Sequence, residues 1–430
     1  MKLLIKNGHV VDARTGRNDI LDIVIEEGKI QEIRKDIEMS GTDFDLIDAT
    51  GKYVIPGIVD AHCHLRDPGY EYKEDIETGS ASAAAGGFTS IACMPNTNPP
   101  IDSESVIKYI INKSKLDAYV NIYPIGAITK GLKGEELAEI GELKFAGAVA
   151  LSDDGNPVTD SSLMKKALQY SSMFDTTIIS HCEDLELVDN GVMNEGYQST
   201  IMGLKGIPSV AESSMVARDI LLAEYINTNI HIAHVSTEAS VDLIRNAKKR
   251  GVKVTAETCP HYFSLTEEAC EGFNTMAKVN PPLRTEKDVK AVIEGLRDGT
   301  IDIIATDHAP HHIDEKNVEF NNAANGMVGF ETALPLVITH LVEPGILTLE
   351  QVVQKMCLNP SKILGLNKGV LGEGRTADIT IIDIDEEQII NTQKFKSKSK
   401  NSPFNGFRLK GVVYHTIVNG KVVVREKILL

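Results

Sequence analysis

Two histidines one residue apart, His62 and His64, are the first residues of this sequence whose types and spacing can do chemistry. On an extended strand, residues i and i+2 point to one face, so both imidazoles can reach one cation. Three more candidates follow at long intervals, His181, His234 and Asp307. Each stands where a short apolar run stops, in TTIISHCED, IHIAHVS and IDIIATDHAP. Imidazole with carboxylate suits zinc, with manganese, cobalt or iron as substitutes. Five ligands exceed what one catalytic zinc with an open position needs. A second cation requires a shared ligand, and Ser152-Asp153-Asp154-Gly155 offers carboxylates at the end of another apolar run. A water held between two cations loses a proton near neutral pH and becomes a nucleophile.

Distant residues meet only if the fold brings them together. Eight short apolar runs recur, at residues 53–64, 88–96, 120–129, 146–155, 176–184, 230–236, 252–263 and 301–310. Stretches with helical apolar spacing, such as 161–174, 211–226 and 238–251, lie between them. Strand and helix in alternation, with near-continuous apolar strands, predict a parallel sheet, and eight units predict an α/β (β/α)8 TIM barrel. The runs end in His62 and His64, Asn96, Asp153 and Asp154, His181, His234 and Asp307. In such a barrel these ends share the C-terminal face, where active sites sit. Residues 1–54 and 368–430 read instead as short strands and turns, with Asn419-Gly420 as a hairpin signal. They are expected to form one small β-sandwich from both chain termini, around a catalytic barrel of residues 55–367.

The chain has 430 residues, long enough for one large barrel plus a smaller module. Its six cysteines form no C-x-x-C, which fits a reducing compartment. The N-terminal apolar run is broken by Lys6, Asn7 and Asp12 and is no signal peptide. The longest uncharged stretch, 78–101, is too rich in Gly, Ser, Thr, Asn and Pro for a membrane span. A cytoplasmic protein is the expectation. With 44 basic against 61 acidic residues, a net charge of −17 argues against nucleic-acid binding. An anionic substrate would need local cations for its capture. The run Lys394, Lys396, Lys398, Lys400 reads as a solvated extended segment.

A family resemblance rests on GIVDAHCHLRDPG (57–69), GGFTSIACMPNTNPP (86–100), LSDDGNPV (151–158) and ISHCED (179–184). HIAHVST (231–237), ETCPHYFSLT (257–266), KVNPPLR (278–284), ATDHAPH (305–311) and KSKNSPFNG (398–406) extend it. In these motifs the chain resembles the amidohydrolase superfamily, and within it the bacterial dihydroorotases whose metals are bridged by an aspartate. The resemblance implies a metal-dependent cyclic amidohydrolase that interconverts N-carbamoyl-L-aspartate and L-dihydroorotate plus water, the third step of pyrimidine biosynthesis. It implies two Zn2+ per subunit, one held by His62, His64 and Asp307, the other by His181 and His234, with Asp154 bridging. Residue types alone do not separate Asp154 from Asp153. It assigns the substrate to His64, Arg66, Asn96, Asn280, His311, Asn325 and Gly326, and proton transfer to Asp307. An arginine fork matches a carboxylate bidentately, so Arg66 answers the capture problem. Asn325 departs from the aromatic that relatives usually carry there. A homodimer, and an association with aspartate transcarbamoylase, are the implied partners.

Other readings compete at several residues. Alternation turns Cys63 away from its neighbours into packing; Cys93, Cys182 and Cys259 read as core. Gly86-Gly87 reads as a turn. His261 either touches the site or stabilises its loop. His308 and His312 read as structural or exposed, and His9, His340 and His415 fall outside the pattern. The long polar segment 312–329 is either a mobile flap or an ordinary surface loop. Dihydropyrimidinases, hydantoinases and allantoinases are the rival enzymes, but they usually bridge with a carboxylated lysine. Here Lys144 lies well before the end of the fourth run. A non-catalytic partner of aspartate transcarbamoylase is the remaining rival; such chains have lost metal ligands, and every ligand position here is filled.

Overall fold

Strands covered on both faces form the centre of the molecule: every residue of Ile58–Cys63 and Phe88–Cys93 is buried. The computed structural model describes residues 2–38 and 44–430; residues 1 and 39–43 of the expected terminal unit lie outside the described residues. Eight parallel strands follow one another, Ile58–Cys63, Phe88–Cys93, Asn121–Pro124, Ala150–Leu151, Thr177–Ser180, Ile230–Ile232, Val254–Thr258 and Ile303–Ile304. They pair as sheets of three and five. A bridge from Gly126 to Leu151 joins the third strand to the fourth. A bridge from Cys63 to His308, with Asp307 N–H donating to His62 O at 3.0 Å, joins the eighth to the first. The ring is thereby closed.

A helix follows each strand, among them Ser161–Ser172 after the fourth, Val210–Ile226 after the fifth and Phe330–Val337 after the eighth. Glu238–Lys249 shows why these segments are helical. The Thr237 side chain caps it by accepting from Ser240 N–H, Glu238 opens it and Lys248 and Lys249 close it. Val241, Ile244 and Ala247 make the buried stripe against the barrel.

The first apolar run is two strands rather than one. Tyr53–Pro56 pairs with Lys2–Asp12 and Ile379–Ile389 in the terminal sheet, and Ile58–Cys63 enters the barrel. Gly57 is the joint, because a Cβ there would lie 2.1 Å from Thr89 Oγ1. The expected boundary after residue 54 thus falls inside a strand: the apolar run continues from Val54 to Val59, and only Gly57 marks the handover.

Among the described residues, both chain ends build one nine-stranded sheet. Ile30 and Ile33 on the edge strand Lys29–Arg34 share a core with Ile379 and Ile417, whose strands lie four and five places away in the order, so the sheet folds over itself as a sandwich. The lysine run leaves Lys394, Lys396 and Lys398 exposed while Ser397 and Ser399 are buried, and the Ser397 hydroxyl donates to Glu74. Segment 312–329 buries Lys316, Phe320, Ala323, Met327 and Val328, while Ile313, Val318 and Asn325 stay exposed.

Candidate active site

At the C-terminal ends of the strands the expected donors converge. His62 is the last residue but one of the first strand and His64 follows the strand; their rings lie 5.4 Å apart, both toward the barrel axis. Cys63 points the other way, its thiol 3.2 Å from Ala92 O. Asp154 touches all four histidines: its Oδ1 lies 3.4 Å from His62 Nε2, 3.5 Å from His181 Nδ1 and 3.4 Å from His234 Nε2, and its Oδ2 lies 3.5 Å from His64 Nε2. Asp307 Oδ1 lies 3.6 Å from His62 Nε2 and 3.1 Å from His64 Nε2. Asp153 turns away and accepts from Ile128 N–H at 2.7 Å, Thr129 N–H at 3.0 Å and the Thr129 hydroxyl. The two adjacent carboxylates therefore do different work, one shaping a loop and one facing the imidazoles.

These separations fit metal ions. Ligands bound tetrahedrally at about 2.0–2.1 Å stand roughly 3.3–3.4 Å from one another. Six donor pairs lie at 3.1–3.6 Å, while His181 Nδ1 and His234 Nε2 stand closer, at a hydrogen-bond distance of 2.8 Å; His62 Nε2 is buried without a hydrogen-bond partner, as a ligand lone pair would be. Charge points the same way. Burial alone would raise the Asp154 carboxyl, yet the surrounding histidines hold it well below the usual carboxylate range. Burial would lower His181, yet Asp154 and Glu183 push it up to about 10. The nest demands positive charge, which divalent cations meet while leaving the nitrogen lone pairs for coordination.

The ring orientations are fixed from behind. Glu257 Oε1 lies 2.6 Å from His62 Nδ1, and its other oxygen lies 3.1 Å from His231 Nε2, all three fully buried. A hydrogen on His62 Nδ1 leaves the Nε2 lone pair facing the aspartates. Asn96 Oδ1 lies 2.8 Å from His64 Nδ1 and does the same for that ring. Glu183 lies 3.4 Å from His181 Nε2 and accepts from Asn280 Nδ2 at 3.2 Å. Arg66, His234 and Asp307 all have positive φ, at 61°, 33° and 46°. Such backbone strain, about 1–3 kcal/mol each, clusters at sites whose surroundings over-determine it.

Beside the donors opens a cavity of about 200 Å³ lined by His64, Arg66, Asn96, Asn280 and His311 with the Asn325–Gly326 backbone. That volume suits a small metabolite rather than a drug-sized ligand. The Arg66 guanidinium donates through Nε to Pro310 O at 3.2 Å and lies 3.2 Å from His311 Nε2. Asn280 Oδ1 is buried without a partner and can accept from a ligand. His311 Nε2 lies 2.8 Å from Asn325 O, so position 325 presents its carbonyl here while the residue itself is exposed. Gly326 has φ 136°, and a Cβ there would come within 2.7 Å of Ala309 Cβ.

Residue types alone missed Glu257, Glu183, Lys278 and Lys316. The available signal was a charged side chain inside an otherwise apolar or motif segment, as in VTAET for Glu257. His261 is buried beside Cys259 and Asp307, its Nε2 unpartnered, and burial holds it down at about 4. His308 is buried and stacks on Phe330 at 4.1 Å, a structural role, whereas His312 caps a short helix.

A (β/α)8 barrel carrying histidine and aspartate donors at its mouth, with a sandwich made from both chain ends, defines the amidohydrolase class. Family models agree: residues 51–240 match the dihydro-orotase-like family and residues 282–424 the amidohydrolase family. A protein named dihydroorotase from Acetivibrio thermocellus is 74% identical over 428 residues and covers 100% of both chains. Another from Ruminiclostridium cellulolyticum is 69% identical over 430 residues, again 100% of each. One from Geobacter metallireducens is 57% identical over 427 residues, 99% of this chain and 100% of that one. Among solved structures, an L-hydantoinase (dihydropyrimidinase) from Arthrobacter aurescens superposes with a TM-score of 0.90 at 28% identity, covering 100% of this chain and 97% of the other. The chain belongs to the dihydroorotase family of amidohydrolases. No described helix is long and apolar enough to cross a membrane.

Proposed function

We propose that this chain interconverts N-carbamoyl-L-aspartate and L-dihydroorotate plus water, with two zinc ions per subunit. The observation that carries the reading is the ring of six donors at coordination spacing beside a buried arginine. His62, His64 and Asp307 would hold one ion, His181 and His234 the other, and Asp154 would be shared. The chemistry supplied by the bound cations is polarisation of the ring amide carbonyl and activation of a water at neutral pH.

The chain's own residues do the rest. The Arg66 guanidinium captures the substrate carboxylate, offsetting the repulsion of an acidic protein. Asn280 Oδ1 accepts from a ring N–H, and His64, Asn96, His311 and the Asn325–Gly326 backbone complete the cradle. In ring opening, Asp307 takes the proton of the attacking water and delivers it to the leaving ring nitrogen. In ring closure it first accepts the proton of the attacking ureido nitrogen. Asp307→Asn with full metal content and near-parental turnover would refute that role.

The bridging position distinguishes this reading from a hydantoinase. Residues 150–155 contain no lysine, and Lys144 sits in the helix Ile140–Ala146, short of the strand end. Side-by-side assay of dihydroorotate, hydantoin, dihydrouracil and allantoin tests the choice; preferential hydrolysis of any of the last three overturns it. Six unpaired cysteines support a cytoplasmic setting. The homodimer and the association with aspartate transcarbamoylase rest on the family resemblance and are tested by native mass, alone and mixed with that transferase.

A further inference from the structure

Two buried lysines sit behind the substrate cavity without a job in the mechanism. Lys316 is fully buried and Lys278 nearly so. Lys316 Nζ donates to Ala324 O at 2.8 Å, Gly326 O at 3.0 Å and Lys278 O at 3.2 Å. Lys278 Nζ donates to Phe320 O at 2.7 Å, Ala323 O at 2.8 Å and Asn321 O at 3.1 Å. All three donors of each ammonium thus go to backbone carbonyls. No carboxylate lies within ion-pair distance of either nitrogen among the described residues.

Burying an unpaired ammonium is costly, and placing two side by side is more so. The cost shows in their acidity: burial and the charge of Lys278 push Lys316 down to about 7, and burial pushes Lys278 down to about 8. Glu315 and Cys270 are the other titratable groups acting on Lys316. What the arrangement accomplishes is the inward turn of five carbonyls from residues 320–326, a segment without strand or helix of its own. That segment ends in the cavity wall. Gly326 N–H donates to Lys278 O at 2.9 Å, Gly326 O also accepts from Asn401 Nδ2 at 3.1 Å, and Asn325 O meets His311.

We propose that Lys316 and Lys278 are positioning residues for substrate binding, two ammonium hubs that mould the 320–326 backbone into a fixed wall and so set the Asn325 carbonyl and the Gly326 backbone against the ligand. The role rests on the dihydroorotase reading of the cavity, and it makes segment 312–329 a rigid wall rather than a flap.

The test is Lys316→Met and Lys278→Met, which keep the apolar stem and remove the donors. A wall that holds substrate equally in ground and transition states moves KM and leaves kcat. The expected result is a KM for dihydroorotate raised about tenfold or more, with kcat within about threefold of the parent and metal content unchanged. An unchanged KM, or a fall in kcat alone, overturns the proposal. Should the variants fail to fold, hydrogen exchange in the parent decides. The Ala324 and Gly326 amides should exchange at least about a hundredfold more slowly than free amides, and exchange at the free rate overturns the fixed wall. If the parent itself fails to turn over dihydroorotate, the activity reading falls while the exchange measurement still judges the wall.

Discussion

Replacing Glu257 by glutamine should weaken metal binding about tenfold while leaving the fold intact. Glu257 lies 2.6 Å from His62 Nδ1 and 3.1 Å from His231 Nε2, with no solvent at any of the three. Glutamine has the same shape, so its oxygen can still accept from His62. Its NH2 then faces His231, which can switch tautomer and donate through Nδ1 to Thr255 Oγ1, 2.8 Å away. The hydrogen bonds survive and only the charge is lost. A hydrogen bond to a charged group contributes about 1.5–3 kcal/mol and a neutral one about 0.5–1.5 kcal/mol. The difference, about 1–1.5 kcal/mol on the His62 side, is roughly tenfold in affinity. That lies at the lower edge of the about 10–100-fold range usual for carboxylates behind a histidine ligand. Competition with a chromophoric chelator measures the affinity, and circular dichroism of the metal-free protein checks the fold. A folded Glu257→Gln protein that binds zinc as tightly as the parent would refute the reasoning that this carboxylate sets the His62 ligand.

Other expectations follow from the same geometry. Arg66→Lys removes the planar fork and should raise KM for dihydroorotate about 10–100-fold with a smaller effect on kcat, as steady-state kinetics will read. Asp154→Asn should abolish turnover and lower metal content, whereas Asp153→Asn should keep the metal but lose about 1–3 kcal/mol of stability, because it caps Ile128 and Thr129; elemental analysis and denaturant melts separate the two. Burial raises Glu331 from the ordinary 4.5 to about 7, against the donors Ser82, Lys396 and Ser397. The folded state therefore holds a proton that the unfolded state has released between those values, so stability should fall as pH rises through that window. Glu331→Gln should remove about 1–3 kcal/mol of that slope in urea melts at pH 5 and pH 8.

Much of this site was legible because parallel strands hide their middles and expose their ends. His181, His234 and Asp307 each follow an apolar run, and the barrel turns that local regularity into convergence. The fourth and eighth strands are only Ala150–Leu151 and Ile303–Ile304, yet their positions in the rhythm still predicted them. The choice between Asp153 and Asp154 was not legible, since both leave the same strand end and only the Thr129 loop draws one away. Glu257, Lys278 and Lys316 escaped for another reason. Charged residues are assigned to the surface by type, and their burial depends on partners far off in sequence: His62 for Glu257, and the 320–326 carbonyls for the lysines. The sandwich boundary blurred because residues 53–59 read as one apolar run across Tyr53–Pro56 and the start of Ile58–Cys63.

The most direct test of the metal-centred account measures bound metal per chain together with dihydroorotate turnover, before and after chelation and again after zinc is restored. The expected result is close to two ions per chain, loss of turnover with their removal and recovery on their return. Full turnover by a metal-free chain, or a chain carrying both ions that leaves dihydroorotate untouched, would contradict it.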